Sequence, residues 1–362
     1  MRHQLSFEIS RLIHSKTTRV LALLLVVLPS LFWFWARYQN VDNARTAASH
    51  AEVSINANLS RYNDQTMKLP ENKAMYNNLI AQWNAATGIP TGIQFGAADI
   101  LTESTLELAK LQQKAYSLNR SGTEDLVLPS KIQLADTLLV TRTVLKQHKH
   151  LQTSVQDASS LLKTAMKYGG SILFFLILLF AMTLGMDRWR HPSLLRDLPV
   201  PPLNRLLGKL LGMLLVVLVP LAAGLGLATL WIGLVYGFGD LTYPLTFNVG
   251  HLTTLPLIGY LTLFLLAAAV LTIFTALLAM LLNRLTKSVY LTLFIGAVIG
   301  AIGQFWSPGK LGAWLPFSAL DLTKLLAQPT ATAGVPWWGS LLILLGWSLV
   351  MALIVGREDS DQ

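Results

Sequence analysis

Cysteine is absent from the chain, which excludes a disulfide framework, thiol catalysis and cysteine-based metal sites and leaves the redox compartment open. Charge is scarce. Asp, Glu, Lys and Arg make up 13% of the 362 residues, about half the share usual for a soluble domain. Acidic residues are the rarer sign, 19 against 28 basic ones, for a net charge of +9. No G-x-x-x-x-G-K-[ST] occurs; the nearest approach, Gly303 to Lys310, has the wrong spacing and Leu311 in place of the hydroxyl residue, so no backbone cradle for nucleotide phosphates is visible. H-E-x-x-H and G-x-S-x-G are missing too. His148 and His150 are two apart and point to different faces of a helix. Neither a catalytic set nor a metal-ligand set is legible, and no enzyme is expected from this chain alone.

Apolar sequence is abundant. It forms 53% of the residues, and mean hydropathy is +0.50. This excludes an ordinary cytosolic enzyme, a disordered chain and a fibrous repeat. A helix needs roughly 20 apolar residues to cross a bilayer, because unpaired backbone groups cannot sit in hydrocarbon. Six stretches qualify: 20–36, 169–186, 210–238, 255–282, 288–306 and 338–356. The first ends in the interfacial run Phe32-Trp33-Phe34-Trp35, which reads as an uncleaved anchor rather than the approach to a cleavage site. The third contains Pro220, where a break or tilt accommodates its length. The fold class expected is an all-α polytopic membrane protein, with six transmembrane helices and a mostly helical extracellular domain, 37–168, inserted after the first span.

Orientation follows from Lys and Arg in the short segments. Twelve lie on one side: Arg2, Arg11, Lys16, Arg19, Arg188, Arg190, Arg196, Arg205, Lys209, Arg284, Lys287 and Arg357. The short loops opposite hold Lys310 and Lys324. Both termini, the tail 357–362 included, are therefore expected in the cytoplasm. In the insertion, residues 132–167 lack Gly and Pro and space Leu138, Leu145, Leu151, Val155, Ala158 and Leu162 for one long amphipathic helix running into the second span. A weaker helix continuing from the first span is expected over 41–67, and shorter ones over 73–86 and 97–118, with breaks at 87–96 and 121–129.

None of the six stretches contains Asp, Glu, Lys, Arg or His. Such residues mark proton relays, ion coupling and voltage sensing, so their absence argues against a proton-coupled antiporter and a charged-solute channel. The polar groups present, such as Thr183, Thr229, Thr262, Thr272, Thr275, Thr292 and Gln304, suit helix–helix hydrogen bonds and an apolar or amphipathic cargo. Any transport would draw its energy from elsewhere. Gly296-x-x-x-Gly300, followed by Gly303, permits close helix approach: a candidate dimer seam, or packing within one subunit.

Two basic segments stand out. Residues 5–19 place Leu5, Ile9, Leu12 and Ile13 on one face, as an interfacial helix bending into the first span. Residues 187–209 read DRWRHPSLLRDLPVPPLNRLLGK, with Pro192 suited to start a short helix that Pro199, Pro201 and Pro202 would end.

This pattern resembles the membrane subunit of ABC transporters of the type-2 permease family. The leader 1–19, with Glu8, Arg11, Ser15 and Lys16, looks like that family's elbow helix. Asp187, then Leu194-Leu195-Arg196-Asp197-Leu198-Pro199 and Asn204-Arg205, looks like its cytoplasmic coupling loop. Trp314-Leu315-Pro316-Phe317 and Leu320 to Leu326, within 311–328, look like its outer re-entrant helices. His191-Pro192-Ser193 and Pro201-Pro202 depart from the pattern, and 38–168 has no recognised counterpart. The resemblance implies a permease in a bacterial cell (inner) membrane, pairing with a second permease subunit as a homodimer or heterodimer, with two ATP-binding subunits beneath. ATP and Mg would be held by those partners; this chain would bind no cofactor and contact lipid but no nucleic acid. Glu8, Arg11, Asp187, Arg188, Arg196 and Asp197 would couple to the ATP-binding subunits, and Gly296, Gly300 and Gly303 would line the dimer seam. Export of an amphipathic peptide, bacteriocin, lipid or drug is then expected. The alternative is a non-transporting membrane sensor or assembly scaffold.

Overall fold

A computed structural model describes residues 10, 14–62, 70–118, 123, 125–184, 202–305, 312–327 and 334–360. Five helices among them are long and apolar enough to cross a membrane. They are α1 (Lys16–Tyr38), α6 (Ala158–Ala181), α7 (Pro202–Tyr236), α8 (Leu257–Thr286) and α11 (Trp337–Ser360). A sixth apolar helix, α9 (Val289–Phe305), is shorter at 17 residues. The insertion holds α2 (Ala44–Leu59), α3 (Pro70–Phe95), α4 (Ala98–Ala115) and α5 (Lys131–Lys146), and a short α10 (Leu322–Ala327) precedes α11.

The apolar helices pack around α8, which touches α6, α7, α9 and α11. Helix α8 is the most buried of them, with Ala267, Leu271, Ala276 and Ala279 fully enclosed. Small side chains along its axis let its neighbours approach. Helix α1 lies against α6 and α7, with most of its apolar side chains exposed on its other faces. Trp33 is buried against Trp231 and Tyr236, and the Arg37 guanidinium stacks over Trp33 and Tyr236 at 5.1 and 4.8 Å.

The insertion has its own core, built on Ile55, Met75, Leu79, Ala86, Leu101 and Leu108. Its helix limits differ from those the sequence suggests. Helix α2 does not continue α1: the chain reverses at 39–43, where Asn40 and Asp42 take left-handed φ of 51° and 53°, and Asn43 caps α2 by accepting from the Arg45 and Thr46 amides. Asn and Asp tolerate that conformation better than other non-glycine residues. Helix α3 runs through the expected break at 87–96. Gly88 and Gly92 serve packing there, since a Cβ on Gly92 would stand 2.7 Å from the Leu101 amide of α4.

The single long helix expected over 132–167 is broken between α5 and α6. His148 turns the chain at φ 53°, and Asp157 starts α6 with a reciprocal cap to Ser160. Tertiary contacts override the helical pattern. Lys149 donates to Thr242 and pairs with Asp240 at 2.9 Å, while the Ala158 and Ser159 amides donate to the Gly237 and Phe238 carbonyls.

One short segment departs from the otherwise helical architecture. Residues 244–256, taken as connection and span, form an antiparallel hairpin, β1 (Pro244–Asn248) with β2 (Leu252–Pro256), in which Thr246 faces Thr254. Asn248 closes its turn by accepting from the Gly250 amide at 2.9 Å, and donates to the Val335 carbonyl ahead of α11. The expected re-entrant segment appears as two short 3-10 turns, Gly312–Trp314 and Pro316–Ala319, followed by α10.

Candidate functional site

Helix α6 is amphipathic over its first three turns before it becomes wholly apolar. Lys163, Lys167 and Ser171 recur every fourth residue, so they form one polar stripe. Five elements converge on that stripe: the 39–43 turn, α5, the hairpin, the first turn of α8, and α10. Between them lies a cavity of about 400 Å³, lined among others by Asp42, Asp136, Gln152, Lys163, Lys167, Tyr243, Tyr260 and Thr323.

Two charges on its wall are paired. Lys167 Nζ donates to both Asp42 oxygens at 2.8 and 3.1 Å, and the Tyr168 hydroxyl adds a bond to Asp42 at 3.2 Å. Below them, Ser171 donates to both Asp321 oxygens at 2.9 Å, and Asp321 caps α10 through the Thr323 amide. Thr323 in turn donates to the Lys167 carbonyl at 2.7 Å. Gln304 of α9 reaches the Ser171 carbonyl at 2.7 Å, and Lys324 donates to the Gln304 carbonyl. The stripe thus ties the turn after α1 to α6, α9 and α10.

Burial by itself would raise the Asp42 pKa. The Lys167 ammonium and its hydrogen bonds, aided by Lys163 and the Tyr168 hydroxyl, reverse this and hold the carboxyl below its ordinary value. Its folded pKa is therefore the lower one. The stability it contributes is present above the unfolded value near ~3.9 and is lost as pH falls through the folded value. Asp42→Asn should lower the melting temperature at pH 7 and flatten its decline below about pH 4, measured as thermal unfolding of the detergent-solubilised protein. The loss should be modest, because Lys167 is more than a third exposed. Burial likewise keeps the Tyr243 hydroxyl protonated far above neutral pH.

None of these residues stood out in the sequence as a site. Lys163 and Lys167 precede the second span as delimited there, and read as the solvated face of a soluble helix. The available signal was their i, i+4 spacing directly before an apolar run. The hydroxyls singled out earlier mostly serve their own helices. Thr229, Thr262, Thr272 and Thr275 each donate to the carbonyl four residues back, while Gln304 and the Thr286–Thr292 pair do link elements.

The predicted coupling residues Glu8, Arg11, Asp187, Arg188, Arg196 and Asp197 lie outside the described residues. The described chain stops three residues short of Asp187 at the far end of α6, where Asn283 of α8 donates to the Met182 and Leu184 carbonyls at 2.8 and 2.7 Å. The glycines of α9 are described, and their close approach is to this chain itself. A Cβ on Gly296 would meet Leu178 at 2.7 Å, one on Gly300 would meet Phe174 at 2.6 Å, and one on Gly303 would strike the Phe317 carbonyl. Their glycine faces are thus filled by α6 and the segment before α10, the within-subunit alternative, rather than left open as a seam.

Helix lengths, hydropathy and burial define a multi-pass helical membrane protein. No protein-family model, curated protein or solved structure matches the chain.

Proposed function

We propose that this chain is the permease subunit of an ATP-driven ABC exporter for an amphipathic substrate. The observation that carries the reading is the order of elements: one apolar helix, a folded insertion, then apolar helices α6 to α9, a pair of short turns with α10, and a last apolar helix. The apolar stretches 20–36, 169–181, 210–236, 257–283, 289–305 and 337–356 contain no Asp, Glu, Lys, Arg or His. Ion coupling thus lacks its usual groups, and energy supplied from the cytoplasmic side by a nucleotide-hydrolysing partner fits better. In this reading the insertion is extracellular, both termini are cytoplasmic, and residues 187–209 dock on the ATP-binding subunits through Asp187, Arg188, Arg196 and Asp197.

Capture of the full chain in mild detergent should recover an ATP-binding subunit. ATP hydrolysis should appear in that complex and be absent from the chain alone. The double charge reversal Arg196→Glu with Asp197→Lys should weaken docking or uncouple hydrolysis from transport. A complex that forms and transports normally with both reversals would displace the docking site, and transport by the chain alone would remove the reading. The alternative, a non-transporting sensor, is favoured by one observation: a polar cavity lies where the insertion meets the membrane helices. Copurification of a kinase or response regulator, with no ATP-binding subunit, would select it.

A further inference from the structure

Beside the ion pair of the cavity wall stand a cation, an anion and a phenol hydroxyl that make no internal hydrogen bond among the described residues. Lys163 is half-buried, and its ammonium has no hydrogen bond or ion pair among the described residues; it stands over the Tyr243 ring at 5.5 Å and within electrostatic range of Asp42. Asp136, projecting from α5, has neither a hydrogen bond nor an ion pair there, yet lies within electrostatic range of Lys163 and Tyr260. Tyr260 of α8 is 4% exposed, and its hydroxyl likewise finds no partner. All three line the same cavity. A cation, an anion and a hydroxyl that face one space without bonding to each other are an arrangement that a complementary ligand completes.

Depth narrows the chemistry. Leu161, half a turn before Lys163, packs in one cluster with Trp33, Ala228 and Ile232. Trp33 belongs to the aromatic group with Trp231, Tyr236 and Arg37 that marks the membrane–water boundary. In the membrane orientation proposed above, this cluster puts Lys163 at the level of lipid headgroups. The volume, about 400 Å³, holds a group of headgroup size.

We infer that the cavity binds a phosphate–ammonium zwitterion, its phosphate on Lys163 and its ammonium on Asp136, with the Tyr260 hydroxyl bonding to either. The inference does not depend on how the protein is powered, and binding to the purified chain tests it separately from transport. Two sources carry this chemistry: the headgroup of an ethanolamine phospholipid, and a free phosphoethanolamine ester.

The test is calorimetric titration of the delipidated full chain, in a non-ionic detergent, with glycerophosphoethanolamine. Saturable binding is expected. Glycerol phosphate and ethanolamine, each carrying one of the two charges, should bind at least ~10-fold more weakly. Lys163→Gln and Asp136→Asn should each weaken the zwitterion by ~10-fold or more. Asp136→Asn changes a half-buried side chain with no internal bond, so it keeps the test decisive if Lys163→Gln fails to fold. Tighter binding of dioleoyl phosphatidylethanolamine in mixed micelles would identify the membrane as the source, and equal binding would identify the free ester. The inference is overturned by the absence of saturable binding at ~10 mM glycerophosphoethanolamine, by equal affinity for either single-charge probe, or by unchanged affinity in Asp136→Asn.

Discussion

Gly224→Leu is expected to separate the first membrane helix from the third. A Cβ on Gly224 of α7 would stand 2.5 Å from the Leu25 carbonyl oxygen and 2.8 Å from Val26 Cα of α1. Those are backbone atoms, so no side-chain rotation relieves the contact, and even Gly224→Ala requires the two helices to move apart. Overpacking of this kind destabilises by about 1–3 kcal/mol, and the larger side chain should reach the top of that range. Gly226 supplies the control two residues on. A Cβ there meets nothing within 4 Å, so Gly226→Ala should leave the melting temperature unchanged or raise it slightly through better helix propensity. Thermal unfolding of the two variants in one detergent gives the contrast. Equal effects at both positions would mean that α1 and α7 do not meet at this point.

Asn283→Leu should be at least as damaging. The Asn283 amide is 2% exposed and donates to the Met182 and Leu184 carbonyls, which the end of α6 leaves without helical partners. Leucine matches its volume but donates nothing, so one buried and one half-buried carbonyl lose their bonds, at about 1–3 kcal/mol for the buried one, offset in part because the buried Asn283 Oδ1 has no partner to lose. The melting temperature should fall accordingly. A second effect follows if the chain is an exporter subunit. The carbonyls held by Asn283 belong to the last residues before the segment 185–201, so the variant should impair transport more than ATP hydrolysis by the complex. A loss confined to stability, with the transport-to-hydrolysis ratio intact, would assign Asn283 a structural role alone.

The apolar helices were legible because hydrocarbon imposes a length and a composition that few other structures share; α1, α9 and α11 fall within a few residues of the stretches read from sequence. The insertion was less legible, since its boundaries are set by partners far away in the chain. Residues 147–157 carry no helix breaker, yet Lys149 is drawn to Asp240 and Thr242, and the start of α6 is capped by Gly237 and Phe238. Conversely Gly88, Pro90 and Gly92 looked like a break and lie within α3. The hairpin escaped notice because its two five-residue strands abut an apolar helix and alternate too briefly to show a period. The cavity was invisible for the same reason: its charges come from residues 42, 136, 163 and 167, in three separate elements that only the fold brings together.

The two strands that lead into and out of the insertion run side by side. The Ala44 amide donates to the Thr153 carbonyl at 2.8 Å, and Asp42 is bound to Lys167. Because its two connections meet at one place, the insertion leaves and rejoins the bundle at a single point, with α5 packed on the hairpin and Val144 in the core below. The outer helices α2 to α4 can therefore diverge in sequence while α5 and the membrane part keep their packing.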